Sequence, residues 1–177
     1  PGEPVPADSR EPVVVPGFVD VHVHGGGGAD VMDATLASLD TISATHAAHG
    51  TTTWLATTVT HFPGSIEQAI DAVKTYMRSD RNGASGARVA GLHLEGPYLN
   101  PKKRGAHRED ALVPPDAGQL IRWCERAEGT VKMITLAPEL EGAPEVIREA
   151  TRRGIVVSAG HTDATWSEME TAVRCGL

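Results

Sequence analysis

Strand-like and helix-like stretches alternate five times along these 177 residues, and that alternation restricts the fold more than any other feature. Val13–Val15 and Phe18–His24 read as extended, and so does the β-branched stretch Thr51–Thr58. Arg88–Leu94, Val131–Leu136 and Ile155–Ser158 complete the strand candidates. Helical periodicity fills the gaps. Leu36, Leu39 and Ile42 share a face in a stretch running from about Thr35 to Gly50. Ile66, Ile70, Val73 and Met77 mark a second helix, which Ser65-Ile66-Glu67-Gln68 is expected to open as a capping box. Further helices are predicted from Pro115 to about Ala127 and from Pro144 to Arg153, the latter closed by Gly154. Thr165-Trp166-Ser167-Glu168 is a second capping box and opens a last helix ending near Gly176. Successive βα units imply a parallel sheet, either doubly wound or closed as a barrel. In both, functional groups collect at the carboxyl ends of the strands. The stretch from Gly96 to about Pro114 fits no element, and a connection of that length inside a domain is usually functional or mobile.

Length and composition narrow the class. The chain suffices for one domain with a sizeable core. A net charge of -7 gives no basic footprint for nucleic acid or an anionic membrane. No apolar run is long enough to cross a bilayer. Cys124 and Cys175 are too few for a disulfide framework and fall in predicted helices, which fits buried or surface thiols in a reducing cytoplasm.

Four metal-capable residues fall at predicted strand ends. Residues two apart on a strand share a face, so His22 and His24 point the same way where an apolar run stops at Gly25-Gly26-Gly27-Gly28. Glu95 ends the third strand and His161 the fifth. Imidazole and carboxylate suit zinc, and an open position on zinc activates water near neutral pH. Singly, each has a plainer reading. His22 and His24 could be hydrogen-bonded partners, Glu95 could cap the Gly96-Pro97 turn, and His161 could satisfy backbone groups near Gly160. Their shared placement favours the metal. Other side chains weigh less. His46 and His49 suit a helix C-terminus, and His61 lies in a loop with some access to the cleft. Asp163 reads as a turn or cap residue, and Trp54, Trp123 and Trp166 as packing. Lys102, Lys103, Arg104 and Arg108 read as a solvated basic loop rather than a phosphate contact.

Several motifs carry a specific resemblance. They are Pro-Gly-Phe-Val-Asp-Val-His-Val-His-Gly (16–25), Gly-Leu-His-Leu-Glu-Gly-Pro-Tyr-Leu-Asn (91–100), Lys-Arg-Gly-Ala-His (103–107), Leu-Ala-Pro-Glu (136–139) and Ala-Gly-His-Thr (159–162). In these the chain resembles the N-acetylglucosamine-6-phosphate deacetylase family of the amidohydrolase superfamily. The resemblance implies an α/β fold, a partial (β/α)8 TIM-type barrel over residues 16–177, with residues 1–15 as a remnant of a flanking β-sandwich segment. It implies that Glu95 and His161 hold a catalytic divalent metal, zinc, with a histidine from a sixth strand. His22 and His24 would hold a second ion bridged by Glu95, so one or two ions per site. Strand four ends in Leu136-Ala137-Pro138, leaving Lys132 at the wrong end to act as a bridging lysine. His93 is expected beside the ligands rather than among them. The Ala106 backbone and the His107 side chain would touch the sugar.

The implied reaction is hydrolysis of the acetamide of N-acetylglucosamine 6-phosphate to glucosamine 6-phosphate and acetate, in a cytoplasmic enzyme that is a homodimer at full length. The acid that protonates the leaving amine, an aspartate at the end of strand eight in this family, is expected beyond Leu177, because a closed barrel takes about 250 residues. The chain is therefore expected to be part of a longer one, with a partial metal site, two open sheet edges and negligible turnover. The alternatives are another metal-dependent amidohydrolase and a catalytically inactive metal-binding fragment.

Overall fold

The computed structural model describes residues 14–84 and 86–177. Five strands form one all-parallel sheet in chain order: β1 (Phe18–Val23), β2 (Thr51–Thr58), β3 (Arg88–Glu95), β4 (Val131–Leu136) and β5 (Val156–Ala159). Each is followed by a helix: α1 (Leu36–Ala47), α2 (Pro63–Met77), α3 (Ala117–Ala127), α4 (Ala143–Arg152) and α5 (Trp166–Cys175). Unbroken sequential order with no strand reversal selects the curled part-barrel over the doubly wound alternative.

The period-two alternation of the strands sorts polar from apolar side chains. Val23, Trp54, Ala56, Leu92, Leu94, Ile134 and Leu136 join one buried cluster with Leu39 and Ile42 of α1, Ile66, Ile70 and Val73 of α2, Leu120 and Trp123 of α3, and Val146 and Ile147 of α4. The residues between them on the strands, His22, Thr57, His93, Glu95 and Thr135, bond to one another on the concave face. Trp54 is fully buried and donates its indole N–H to Ser43 Oγ and Ala87 O, linking β2 to α1 and to the entry of β3.

Helix starts depart from expectation where proline or aspartate intervenes. No side chain caps α2; it begins at Pro63, leaving Ser65 inside its first turn, so the capping box read at Ser65–Gln68 is not formed. Proline at the first helical position has its φ preset and no N–H to satisfy, which starts the helix earlier. α3 starts at Ala117 rather than Pro115, because Asp116 accepts from Gly118 N at 2.8 Å as the N-cap. The Thr165–Glu168 capping box is present. The 96–114 connection holds two short 3-10 turns, Pro101–Lys103 and Glu109–Ala111, and is anchored by its own buried Tyr98 and Leu99. Val14 and Val15 are exposed and join no strand. Val13 and nearly all of the segment read as a sandwich remnant lie outside the described residues.

Both outer strands carry exposed apolar side chains: Phe18, Val19 and Val21 on β1 and Val156 on β5. Trp166, read as packing, is 81% exposed. With Met169 and Val173 it lies on a face of α5 that borders an open hollow. Trp54→Ala is expected to cost about 3–5 kcal/mol, read as a lowered midpoint of urea unfolding.

Candidate metal centre

Three strand ends bring the predicted ligands together. His22 lies on β1 and His24 directly follows it, both turned toward Glu95; Glu95 closes β3; His161 follows β5 by two residues. Their atoms enclose one small space. His22 Nε2, His24 Nε2 and Glu95 Oε2 form a triangle with sides of 3.1, 3.2 and 2.8 Å. On the other carboxylate oxygen, His161 Nε2 lies 2.9 Å from Glu95 Oε1.

Partners on the remote ring nitrogens fix the protons. A backbone carbonyl only accepts, so a nitrogen facing one carries hydrogen. His24 Nδ1 donates to Thr57 O at 3.1 Å and His161 Nδ1 to Lys103 O at 3.0 Å. In the neutral rings the Nε2 lone pairs therefore face the shared space, the orientation that carbonyl-bound metal-ligating histidines adopt. Four-coordinate zinc with bonds of about 2.0–2.1 Å spaces its ligand atoms by roughly 3.3 Å. The triangle of His22, His24 and Glu95 has nearly that edge, and Glu95 offers its second oxygen to His161. The donor set and its spacing fit one or two divalent ions sharing Glu95.

His107 differs. Its Nε2 lies 3.7 Å from Glu95 Oε2, close enough to form a third donor with Glu95 and His161. Yet the Thr60 backbone N–H donates to His107 Nδ1 at 3.2 Å, so the neutral ring carries its proton on Nε2. It offers an N–H on the Glu95 side instead of a lone pair. Ala106, exposed on the preceding turn, adjoins it, and a Cβ at Gly105 would come into contact with the His161 ring.

Glu95 is 4% exposed. Burial alone would raise its pKa, but the His107, His24 and His22 imidazoles outweigh that and hold it well below the usual carboxylate range. His24 is raised by its hydrogen bond to Glu95, against burial. His93 is enclosed and bonds at both ring nitrogens, Nδ1 to Val21 O at 2.9 Å and Nε2 to Thr135 Oγ1 at 2.8 Å. It is a strut across the concave face, and burial pushes its pKa down to about 4.

The remaining candidates stand apart. His46 bonds to Gly25 O and stacks on Trp54; His49 bonds to Thr45 O. His61 packs edge-on against Phe62. Asp163 pairs with Lys103 at 3.1 Å, Arg104 with Glu109 and Arg108 with Asp110, so three of the four basic loop residues face nearby acids. Sequence reasoning passed over Thr57, Thr135 and the carbonyls of Thr57 and Lys103. The strand threonines share the ligands' parity, and that was the available signal.

Residues 13–176 match the sequence model of the amidohydrolase family. N-acetylglucosamine-6-phosphate deacetylase of Bacillus subtilis is 40% identical over 171 residues, covering 97% of this chain and 42% of the relative. N-acetylgalactosamine-6-phosphate deacetylase of Escherichia coli O157:H7 is 35% identical, covering 98% and 46%. A mutant N-acetyl-D-glucosamine-6-phosphate deacetylase from Mycobacterium smegmatis, solved with N-acetyl-D-glucosamine 6-phosphate, superposes with a TM-score of 0.85 at 38% identity, covering 92% of this chain and 41% of that one. The chain thus spans about two fifths of the length of these relatives.

His93 sets a pH dependence of stability in the metal-free chain. Its folded pKa lies below the unfolded value, so it favours the fold above about pH 6.5, and that contribution is lost as pH falls toward 4. The expected loss is up to about 3 kcal/mol. Urea unfolding between pH 7 and 4 should show this slope, and His93→Gln should flatten it.

Proposed function

The chain belongs to the amidohydrolase family, and from that premise we propose that it supplies the metal-holding part of an N-acetylglucosamine-6-phosphate deacetylase. The carrying observation is the buried Glu95 carboxylate, shared between His22 and His24 on one oxygen and His161 on the other. We assign those four residues as ligands of one or two divalent ions sharing Glu95, zinc on the character of the donor set. The bound ion supplies Lewis acidity toward the amide carbonyl and toward water. The chain's own residues orient the reactants. His107, with its proton fixed on Nε2, is the donor facing the cleft, and the exposed Ala106 backbone adjoins it; these two contact the sugar. Chains spanning the full length of the relatives would complete the ligand set and supply the acid for the leaving amine.

The deacetylase reading is favoured over other amidohydrolase chemistry by Glu95, which lies between the His22–His24 pair and His161 without any lysine at the end of β4. A small phosphorylated amino sugar is the proposed partner. The hexosamine epimer is the finer question, since relatives named for both are similar to this chain.

Zinc should bind to the wild-type chain and be released by chelators. Glu95→Gln removes the shared charge and is expected to weaken zinc by at least about 100-fold; calorimetric titration reads this. Because His24 binds a proton with raised affinity, zinc affinity should fall about tenfold per pH unit below its pKa as one proton is displaced. Acetate release by the zinc-loaded protein extended to the relatives' length should favour N-acetylglucosamine 6-phosphate over the unphosphorylated sugar, and His161→Ala should abolish it. Turnover of neither sugar by the folded, metal-loaded protein would move the assignment to another amide, equal turnover of both would remove the phosphate from recognition, and preference for the galactosamine epimer would move the assignment to that relative's substrate.

A further inference from the structure

Glu139 takes no part in the cluster, yet it gathers the loops that build it. It stands three residues past the end of β4, in the Leu136-Ala137-Pro138-Glu139 stretch. Its Oε1 accepts from Asn100 Nδ2 and from the Asp163 backbone N–H, both at 2.8 Å. Its Oε2 accepts from the Thr162 hydroxyl, which itself accepts from Ala164 N. Asn100 lies on the connection after β3; Thr162 and Asp163 are the two residues directly after His161. One carboxylate therefore joins the exits of β3, β4 and β5.

His161 needs such support. Its φ is +52°, in the left-handed region that a side chain bearing Cβ disfavours. Two bonds hold it against the turn at 100–103: Asn100 N–H donates to His161 O at 3.0 Å, and His161 Nδ1 donates to Lys103 O at 3.0 Å. Glu139 ties that turn, through Asn100, to the segment that leaves His161. The Lys103–Asp163 pair spans the same gap but is half exposed, where an ion pair holds little. The three donors to Glu139 include a backbone amide and a side-chain amide, which point at fixed positions.

We propose that Glu139 is a positioning residue for His161: it locks the exits of β3 and β5 so that the His161 ring meets Glu95 with its Nε2. This rests on the metal-binding reading of the cluster, so the loop and the metal are read separately. In the metal-free chain, amide exchange at Asn100 reports whether His161 O is still held. Glu139→Ala should speed it about tenfold or more. Cobalt titration, followed by its visible absorption, then reads the site. Glu139→Ala should weaken the ion held with His161 by about 10–100-fold, Glu139→Gln by less, and His161→Ala marks the full loss.

A folded Glu139→Ala chain with wild-type exchange at Asn100 and wild-type cobalt affinity overturns the proposal. So does a lowered urea midpoint with unchanged cobalt affinity in the folded molecules, since that is a structural role alone. If Glu139→Ala does not fold, Thr162→Val removes one of the three donors and should give a smaller effect of the same kind; none would overturn the proposal. Should even the wild-type chain bind no cobalt, the metal reading falls, and the exchange comparison at Asn100 still decides whether Glu139 positions His161.

Discussion

Placing an ionised carboxylate at the mouth of a parallel sheet, almost sealed from water, obliges the surrounding chain to answer its charge. An isolated buried carboxylate is strongly disfavoured and ordinarily takes up a proton. Glu95 keeps its charge because imidazoles converge on it from β1, from the connection after β3 and from the exit of β5. Each of these segments has to arrive at the same point, and the curl of the sheet brings them there. Most of the polar architecture of the concave face follows from that one requirement.

The histidines around Glu95 divide by where their far nitrogens are anchored. In their neutral forms His24 and His161 lean on carbonyls and turn lone pairs inward, whereas His107 accepts a backbone N–H and presents a proton. Offering a lone pair and offering a proton are opposite demands on one imidazole nitrogen, and the backbone settles which ring does which. His93 shows a third outcome: both nitrogens are occupied within the protein, so it holds β1 and β4 in register across the site without facing the cleft.

Strand parity keeps this polar network apart from the apolar core. The helices cover only the convex face, where Trp54, Leu92, Leu94, Ile134 and Leu136 meet the buried stripes of α1 to α4. A one-residue slip in β3 would send His93 and Glu95 into that core and Leu92 and Leu94 into the cleft. Register is thus enforced from both sides of the sheet. The exposed apolar residues of β1, β5 and α5 mark where the sheet and its helical layer are uncovered.

Local pattern by itself determined the order of elements, the parallel sheet and the strand-end placement of His22, His24, Glu95 and His161, because period and spacing are properties of contiguous residues. The motif resemblance added the family and the expected role of His107. The Thr165 capping box was legible for the same local reason, while the one read at Ser65 lost to Pro63, whose ring presets φ two residues earlier. Between doubly wound and curled sheets, which periodicity left open and the motif resemblance answered as an expectation, the tertiary structure decided for the curl, since strand order is a matter of which edges pair. It also decided which nitrogen of each histidine carries the proton, because the deciding groups, Thr57 O, Lys103 O and Thr60 N–H, lie between 33 and 58 residues away in sequence. Glu139 was legible only as a letter in a motif; its hold on the loops exists only once three strand exits meet in space.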